Sequence, residues 1–259
     1  SLTEYNALTT PSFVGLKNYQ ELFQDETFRK CIRNTLIFVV TVVPAETVLG
    51  LLTAIWINNR KTTLLGKFVR NGMFIPSLAA SGVVSIVWRI LLNNENSPLY
   101  AFLKLFGIDS TLILGSKEMV FPALIIMDIL MGMGYYMVLY LAYLVDIPDS
   151  YYEAARLDGA TRMQTIRWIT APLMKPAIIM VAFLGVIATF QSFDMVYVMT
   201  GGGPGNGTTM TIMVYLYQYS FKYSKVGYGM AIGNILIIMV AVLTFTQRRL
   251  INNKNSELY

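Results

Sequence analysis

Residues 35–57 read TLIFVVTVVPAETVLGLLTAIWI, an apolar stretch of 23 residues in which Glu46 is the single charged side chain. A helix needs about 20 mostly apolar residues to cross the hydrocarbon core of a bilayer, so this stretch is long enough to span a membrane. Four further stretches pass the same test, at 73–92, 119–145, 176–200 and 226–246. The sequence therefore predicts an all-α fold, a polytopic transmembrane helical bundle with five visible spans.

The composition also favours a membrane protein. Of the 259 residues, 55% are hydrophobic and only 14% are charged, whereas an average soluble domain has about 25% charged residues. The chain has no histidine, and Cys31 is its single cysteine. These absences argue against histidine-based catalysis, a histidine metal centre and an internal disulfide. We therefore expect no catalytic residues and no metal. We also expect no nucleic-acid partner, because a net charge of +5 suits loops that face an anionic membrane surface.

The basic residues predict how the spans are oriented. With five alternating spans, one side of the membrane carries eleven basic residues, and the other side carries eight in longer loops. The positive-inside rule makes the first side cytoplasmic. Residues 1–30 are then an external interfacial segment, in which Leu16, Tyr19 and Phe23 have helical spacing, and an ordered loop packed on the bundle is the alternative. Residues 31–259 form the transmembrane domain. Because the N-terminus lies outside, we expect another span to precede residue 1.

The loop 146–175 on the predicted cytoplasmic side carries the strongest local pattern, DIPDSYYEAARLDGATRMQTIRWITAPLMK. Ser150, with Glu153 three residues later, predicts a helix that starts with a capping box. Gly159 ends this helix, and Thr161 can cap a second one, which we expect Pro172 and Pro176 to end. Two short helices of mixed charge suit docking into a partner's groove, and an ordinary amphipathic connector is the alternative.

This loop resembles the signature cytoplasmic loop of the inner-membrane permease subunits of ABC importers, which reads Glu-Ala-Ala, a glycine four residues on, then isoleucine and proline. The coupling residues assigned on this basis are Glu153, Ala154, Ala155, Asp158, Gly159, Ile169 and Pro172. Further stretches are similar to the carbohydrate-uptake branch, of maltose and multiple-sugar type. They read FVGLKNY at 13–19, FIPS at 74–77, FQSFDMVYVMTGGGP at 190–204 and QRRL at 247–250. The resemblance covers essentially the whole chain.

The resemblance implies a permease subunit of an ATP-driven, binding-protein-dependent sugar importer, which forms half of the translocation pathway for a di- or oligosaccharide. Its implied partners are a second homologous permease, two ATPase subunits and an external solute-binding protein. The chain has no GxxxxGK[ST] pattern. ATP and Mg are therefore expected on the partner ATPase, with no cofactor on this chain and no enzymatic activity of its own. The implied location is the bacterial cytoplasmic (inner) membrane.

Polar residues inside the predicted spans are candidates for contact with substrate. A charged side chain at membrane depth costs about 2.5–3.5 kcal/mol, so its presence needs a reason. Gln191 and Asp194 are three residues apart, which predicts that they share one face of a helix. The resemblance implies a substrate pathway that includes Asp128, Gly132, Tyr135, Tyr136, Gln191 and Asp194. The alternative is that the two aspartates pair with Arg89 or with the partner permease.

The glycine-rich stretch at 200–209 lies on the predicted outer side. The resemblance implies a contact with the binding protein through Gly201, Gly202, Gly203 and Pro204, and a flexible linker is the alternative. Two other functions stay open. An ion-coupled secondary transporter usually shows two related halves, and we find no internal repeat. An ABC importer for glycerol-phosphate or sugar acids has the same overall pattern.

Overall fold

The computed structural model describes residues 1–6, 10–108, 113–203 and 207–256, which are mostly α-helical. A two-stranded antiparallel sheet pairs β1 (Thr3–Glu4) with β2 (Ser12–Phe13). The helices of the first half are α1 (Lys17–Gln24), α2 (Glu26–Asn58), α3 (Leu64–Leu78), α4 (Ser81–Asn93) and α5 (Pro98–Lys104). Those of the second half are α6 (Val120–Val145), α7 (Asp149–Leu157), α8 (Arg162–Thr165), α9 (Ala171–Leu173), α10 (Lys175–Phe190), α11 (Asp194–Thr200), α12 (Ile212–Tyr217) and α13 (Val226–Ser256). π-helical turns lie at Ile166–Thr170, between α8 and α9, and at Gln218–Lys222, after α12.

Several of these helices are long and apolar enough to cross a membrane. Within the described ranges, α2, α6 and the part of α13 from Val226 to Gln247 pass this test as single helices. Two interrupted pairs pass it together, α3 with α4, and Arg162–Leu173 with α10, which gives up to five spans. The predicted all-α, polytopic membrane fold is confirmed, and the predicted second and fourth spans are each interrupted.

The predicted span at 73–92 is not one continuous helix, because the helix is broken at Ala79 and Ala80. Both residues have extended backbone angles, with ψ of 149° and 131°. Pro76 has no N–H with which to continue the helical hydrogen bonds, and the N–H of Ala79 donates to the Pro76 carbonyl over 3.3 Å. Helix α3 therefore ends at Leu78, and α4 begins at Ser81.

The predicted span at 176–200 is also not one helix. Helix α10 ends at Phe190, and α11 begins at Asp194. The N–H of Gln191 is shared between the carbonyls of Ile187 and Ala188, at 3.3 and 3.1 Å, as is common at helix ends. Gln191 lies in the break, so the expectation that it shares a helix face with Asp194 is wrong.

The chain divides into two compact units. The first contains Ser1–Val42, Ala80–Asp128 and Val186–Tyr259, and the second contains Val43–Ala79 and Ile129–Gly185. Fully buried large side chains of the first unit are Leu22, Phe28, Phe38, Leu92, Leu124, Phe190, Ile212 and Ile232. The second unit has one hydrophobic cluster, built from Ala54, Ile55, Ile57, Tyr136, Met137, Tyr140, Leu141, Leu144, Met174, Ala177 and Val181.

The N-terminal segment contains the short helix that its apolar spacing predicts. In α1, Leu22 is fully buried, whereas the flanking Leu16 and Phe23 are 63% and 58% exposed. Tyr19 accepts a hydrogen bond through its hydroxyl from the Asn234 side chain of α13, over 2.8 Å. The helix therefore packs on α13 and leaves apolar side chains uncovered. Its position along the outer membrane surface stays a prediction.

Helices α3 and α6 of the second unit approach closely at Gly134. A Cβ added to this buried glycine would collide with the backbone carbonyl of Met73, which cannot move aside as a flexible side chain would. We expect Gly134→Ala to lower the stability by about 1–3 kcal/mol, the usual cost of overpacking. The measurement is the thermal unfolding midpoint of the purified protein in detergent.

Gly72→Ala is the matched control for this prediction. Gly72 lies in α3 beside Met73, and a Cβ added there meets nothing within 4 Å. This change should leave the midpoint unchanged or raise it slightly, because alanine favours a helix by roughly 0.5–1 kcal/mol over glycine. Equal midpoints for Gly134→Ala and Gly72→Ala would contradict the close approach.

Candidate functional site

The predicted coupling loop begins with helix α7. Its N-cap residue is Pro148, so the helix starts one residue before the predicted cap, and Ser150 lies within the first turn. The predicted capping box of Ser150 and Glu153 is therefore wrong. Asp149 in the first turn and Arg156 in the last turn have the signs that the helix dipole favours at the two ends.

Helix α7 ends at Leu157, two residues before the predicted glycine. Gly159 has φ of 75°, a left-handed conformation that costs other L-residues about 1–2 kcal/mol. The N–H of Ala160 donates to the Ala155 carbonyl over 2.9 Å, and the N–H of Gly159 donates to the Arg156 carbonyl over 3.1 Å. This pair of bonds is the Schellman motif, and it turns the chain sharply into the second helix.

The second helix of the loop is capped as predicted by Thr161. The Thr161 hydroxyl accepts from the N–H of Gln164, and the Gln164 side chain accepts from the N–H of Thr161 over 2.7 Å, which completes a capping box. The helix ends between Pro172 and Pro176, the two prolines that were predicted to end it. The π-helical turn at Ile166–Thr170 precedes Pro172, which lies at the first turn of α9, and the helix ends at Leu173.

The outer face of α7 is exposed. Glu153, Ala154 and Asp158 are exposed, whereas Ala155 is buried against the rest of the unit. Leu157 is 89% exposed, and Met163 and Trp168 of the second helix are also largely exposed. Glu153 and Leu157 are four residues apart on α7, so a carboxylate and a large apolar side chain share its exposed face and are suited to contact a partner. The sequence analysis did not single out Leu157, Met163 and Trp168, because a pattern of residue types does not tell which face is uncovered.

The membrane-depth carboxylate Asp128 lies in the α6 helix at the edge of the first unit. Its side chain is partly buried. Across the described ranges, no hydrogen bond or ion pair reaches this carboxylate. A carboxylate at this depth that has no partner among the described residues is suited to meet a polar group of a substrate or of another subunit.

Three of the other predicted pathway residues lie in the second unit. Gly132 faces the buried carboxylate of Glu46, which a Cβ at this position would strike. Tyr136 is 5% exposed within the hydrophobic cluster, whereas Tyr135 is 47% exposed and its ring packs edge-on to Tyr136, with centroids 5.5 Å apart. Glycine at 132 thus permits the close approach of α2 and α6, and a role in the pathway stays a prediction for all three.

Asp194 and Gln191 lie in the first unit, beside a cluster of aromatic rings. Asp194 begins α11 and accepts a hydrogen bond from the Ser81 hydroxyl. Arg89 instead donates to the Val198 carbonyl over 3.1 Å, so the described structure does not show the alternative Asp194–Arg89 pair. Gln191 is exposed in the break between helices.

The aromatic cluster itself is formed by Phe193, Tyr197 and Tyr217. Their ring centroids are 4.8–5.0 Å apart, and Phe193 and Tyr197 are stacked. The sequence analysis missed this cluster. The four-residue spacing of Phe193 and Tyr197 predicts that these two rings are neighbours on one helix. Tyr217 comes from a different helix, so its contact with them could not be predicted from spacing.

The glycine-rich stretch is held on both sides. Gly201 ends α11 in a left-handed conformation, and Gly202 and Gly203 also have positive φ. The side-chain amide of Asn34 donates to the carbonyls of Gly207, Thr208 and Met210. Pro204 lies outside the described residues. These hydrogen bonds tie the described residues Gly207, Thr208 and Met210 to Asn34 of α2, and both the contact with a binding protein and the flexible-linker alternative stay predictions.

In the part of the chain that the structure describes, no group of three or more histidine, cysteine, aspartate or glutamate side chains is arranged to hold an ion.

Comparisons with known proteins give a consistent family. A family model described as binding-protein-dependent transport system inner membrane component matches residues 46–255. The multiple sugar-binding transport system permease protein of Streptococcus mutans is 31% identical over 252 residues, which cover 96% of this chain and 85% of that protein. The lactose transport system permease protein of Rhizobium radiobacter is 32% identical over 238 residues, 91% of this chain and 80% of that protein.

A solved structure has the same fold. It is that of a bacterial ABC transporter involved in the import of the acidic polysaccharide alginate. The TM-score is 0.84 over 93% of this chain and 84% of that chain, at 22% sequence identity.

Proposed function

The chain belongs to the family of inner membrane components of binding-protein-dependent transport systems, the permease components of ABC importers, and we propose that its substrate is a di- or oligosaccharide. It is a transport subunit, and ATP hydrolysis belongs to a separate chain of such importers. Family membership also decides against the ion-coupled secondary transporter that the sequence alone left open.

The exposed outer face of α7 is the observation that carries the coupling role. On this face Glu153 exposes a carboxylate, Ala154 a small side chain and Leu157 a large apolar side chain that a partner could cover. A small side chain permits close packing, and an exposed carboxylate suits a charge-assisted hydrogen bond to a basic group of an ATPase. The Schellman motif at Gly159 and the capping box at Thr161 hold this helix in a defined position. Asp158, Ile169 and Pro172 complete the proposed coupling loop.

The proposed assembly contains this chain, a second homologous permease, two ATPase subunits and an external solute-binding protein. ATP and Mg bind the ATPase subunits and not this chain. The proposed location is the bacterial cytoplasmic membrane, with the loop 146–175 inside and Gly201, Gly202 and Gly203 on the outer side toward the binding protein. Two observations support this orientation. Up to five helical segments are long enough to cross the membrane, and with five spans the side that contains the coupling loop has the excess of basic residues.

A sugar substrate is supported by the relatives' names and by the chemistry of the first unit. Sugar sites combine a few polar groups, which bind hydroxyls, with aromatic rings, which pack on the apolar faces of the ring. The first unit contains the polar side chains of Asp128, Gln191 and Asp194. Phe193 of the aromatic cluster lies two residues after Gln191 in the chain. Gly132, Tyr135 and Tyr136 are further proposed positions. A neutral sugar fits the carboxylates of Asp128 and Asp194 better than a sugar acid does, because the two carboxylates would repel the negative charge of the acid.

The test is uptake into proteoliposomes that contain the chain with its partner permease and ATPase, supplied with the sugar-loaded binding protein. We expect accumulation of labelled oligosaccharide with ATP and the ATPase on the same side, and unchanged accumulation after an ionophore collapses the ion gradients. Accumulation that follows an ion gradient without ATP would overturn the proposed function, and accumulation of a sugar acid alone would overturn the neutral substrate.

A further inference from the structure

A polar cavity of about 580 Å³ lies in the second unit, behind the coupling loop. Its walls come from the C-terminal end of α2, the turn that follows α2, helix α7 and the start of the second loop helix. Asp149, Tyr152 and Arg156 line it with the three- and four-residue spacing of one helical face. Glu153, Ala154 and Leu157 lie outside this wall, so α7 has a cavity face distinct from its exposed outer face.

The cavity is strongly basic. Arg60, Lys61, Arg156 and Arg162 line it, with Asp149 as the one carboxylate of the lining. Across the described residues, none of these four cations forms a salt bridge. Concentrated like charges repel one another and attract an anion of matching size. The guanidinium of Arg60 lies over the Trp56 ring, 4.4 Å from its centroid, which holds it at the rim of the cavity.

The chemistry of the lining favours a phosphate group. Three of the four cations are arginines, and their planar forks bind phosphate oxygens through two parallel hydrogen bonds. The volume is larger than a phosphate alone needs and falls in the usual range for small-molecule pockets. Ile55 and Leu144, from the ends of two membrane-spanning helices, supply an apolar part of the wall. Basic pockets beside spans on the cytoplasmic side are suited to anionic lipid headgroups.

We propose that this cavity binds a phosphate-bearing anion, either the headgroup of an anionic phospholipid or a soluble phosphate ester. The bound anion bridges the end of α2 and the coupling loop, and so it stabilises the loop against the membrane-spanning helices of the same unit. The proposal rests on the proposed function only for the cytoplasmic position of the cavity.

The test measures binding of dioctanoyl phosphatidylglycerol, dioctanoyl phosphatidylcholine and inorganic phosphate to the detergent-purified complex. We expect saturable binding of phosphatidylglycerol and much weaker binding of phosphatidylcholine. The double variant Arg60→Gln/Lys61→Gln should weaken phosphatidylglycerol binding by about tenfold or more, since each basic side chain contributes substantially near a surface. Inorganic phosphate that binds as tightly as phosphatidylglycerol supports a soluble phosphate ester as the source, and much weaker binding of inorganic phosphate supports the lipid, whose acyl chains add apolar contact.

Lys67→Gln/Arg70→Gln is the matched control, because both side chains are exposed on α3, close in sequence, and do not line the cavity. It removes the same charge and should change binding less than twofold. Arg162→Gln is a second cavity variant in case the first one does not fold, as judged by thermal unfolding. Equal binding of phosphatidylcholine, equal weakening by the control or unsaturable binding would overturn the proposal. Binding needs no transport, so failure of the sugar-import function leaves this test intact.

Discussion

Replacing Glu153 with lysine is expected to release the ATPase from the assembled transporter and to abolish ATP-driven uptake. Glu153 is exposed on the outer face of α7, where a basic group of the partner is expected to meet it. Reversing one member of such an interfacial charge pair costs about 2–5 kcal/mol, which corresponds to an association at least about thirtyfold weaker. The measurement is the amount of ATPase that co-purifies with the variant, together with the rate of uptake.

Glu95→Lys is the control for this variant. Glu95 is exposed in the connection between α4 and α5, and its replacement makes the same change of charge on the predicted outer side. It should retain both ATPase association and uptake. Glu153→Gln, which keeps the shape and loses the charge, should lie between wild type and Glu153→Lys. A Glu153→Lys protein with full ATPase association and normal uptake would contradict the coupling role of α7.

Replacing Asp128 with alanine is expected to reduce uptake about tenfold or more while ATPase association stays normal. A hydrogen bond to a charged group is worth about 1.5–3 kcal/mol, and Asp128 has no partner for its carboxylate within the described residues. A substrate hydroxyl is the proposed partner. The measurements are the initial uptake rate at saturating binding protein and the thermal unfolding midpoint.

The unfolding midpoint separates transport from structure at this position. If Asp128 serves the substrate, alanine should leave the midpoint unchanged or raise it, because a costly membrane-depth charge is removed. A lower midpoint would point to a structural partner for the carboxylate, and unchanged uptake would remove Asp128 from the pathway. Glu95→Ala is the control and should leave uptake and midpoint unchanged, because Glu95 is exposed between α4 and α5, outside the coupling loop and the predicted pathway.

Local signals in the coupling loop were sufficient to predict its main turn. Gly159 adopts the left-handed conformation that a helix end favours, and Thr161 caps the next helix through residues three positions apart. Such interactions involve neighbours in sequence, so the pattern contains them. The predicted cap at Ser150 failed for an equally local reason, because Pro148 takes the N-cap position and the helix starts earlier.

Hydropathy predicted the number and positions of the apolar stretches and missed their interruptions. The run at 73–92 stays apolar across the break at Ala79–Ala80, whereas the break at Gln191–Phe193 contains the polar Gln191 and Ser192, which the apolar residues around them outweigh in an average. Average hydropathy does not register a change of backbone angle at two alanines. The proline in the first case was visible in the sequence, but prolines also occur inside intact helices, as Pro44 does in α2.

Contacts between distant residues were beyond the sequence. The fit of Gly132 against Glu46 and of Gly134 against Met73 depends on how helices pack, and the spacing of residues in one helix does not reveal it. The basic cavity likewise joins Arg60 and Lys61 to residues about a hundred positions later. Counting basic residues located them on one side of the membrane, and the fold brought them to one cavity.

If this chain works as the permease of an ATP-driven sugar importer, the other subunits of the importer should co-purify with it. The chain is isolated from its native membrane in mild detergent, and the proteins that accompany it are identified. We expect a second permease and an ATPase, with ATP hydrolysis stimulated by a sugar-loaded binding protein. A chain that purifies alone, and whose preparation has no ATP-linked activity, would contradict the claim.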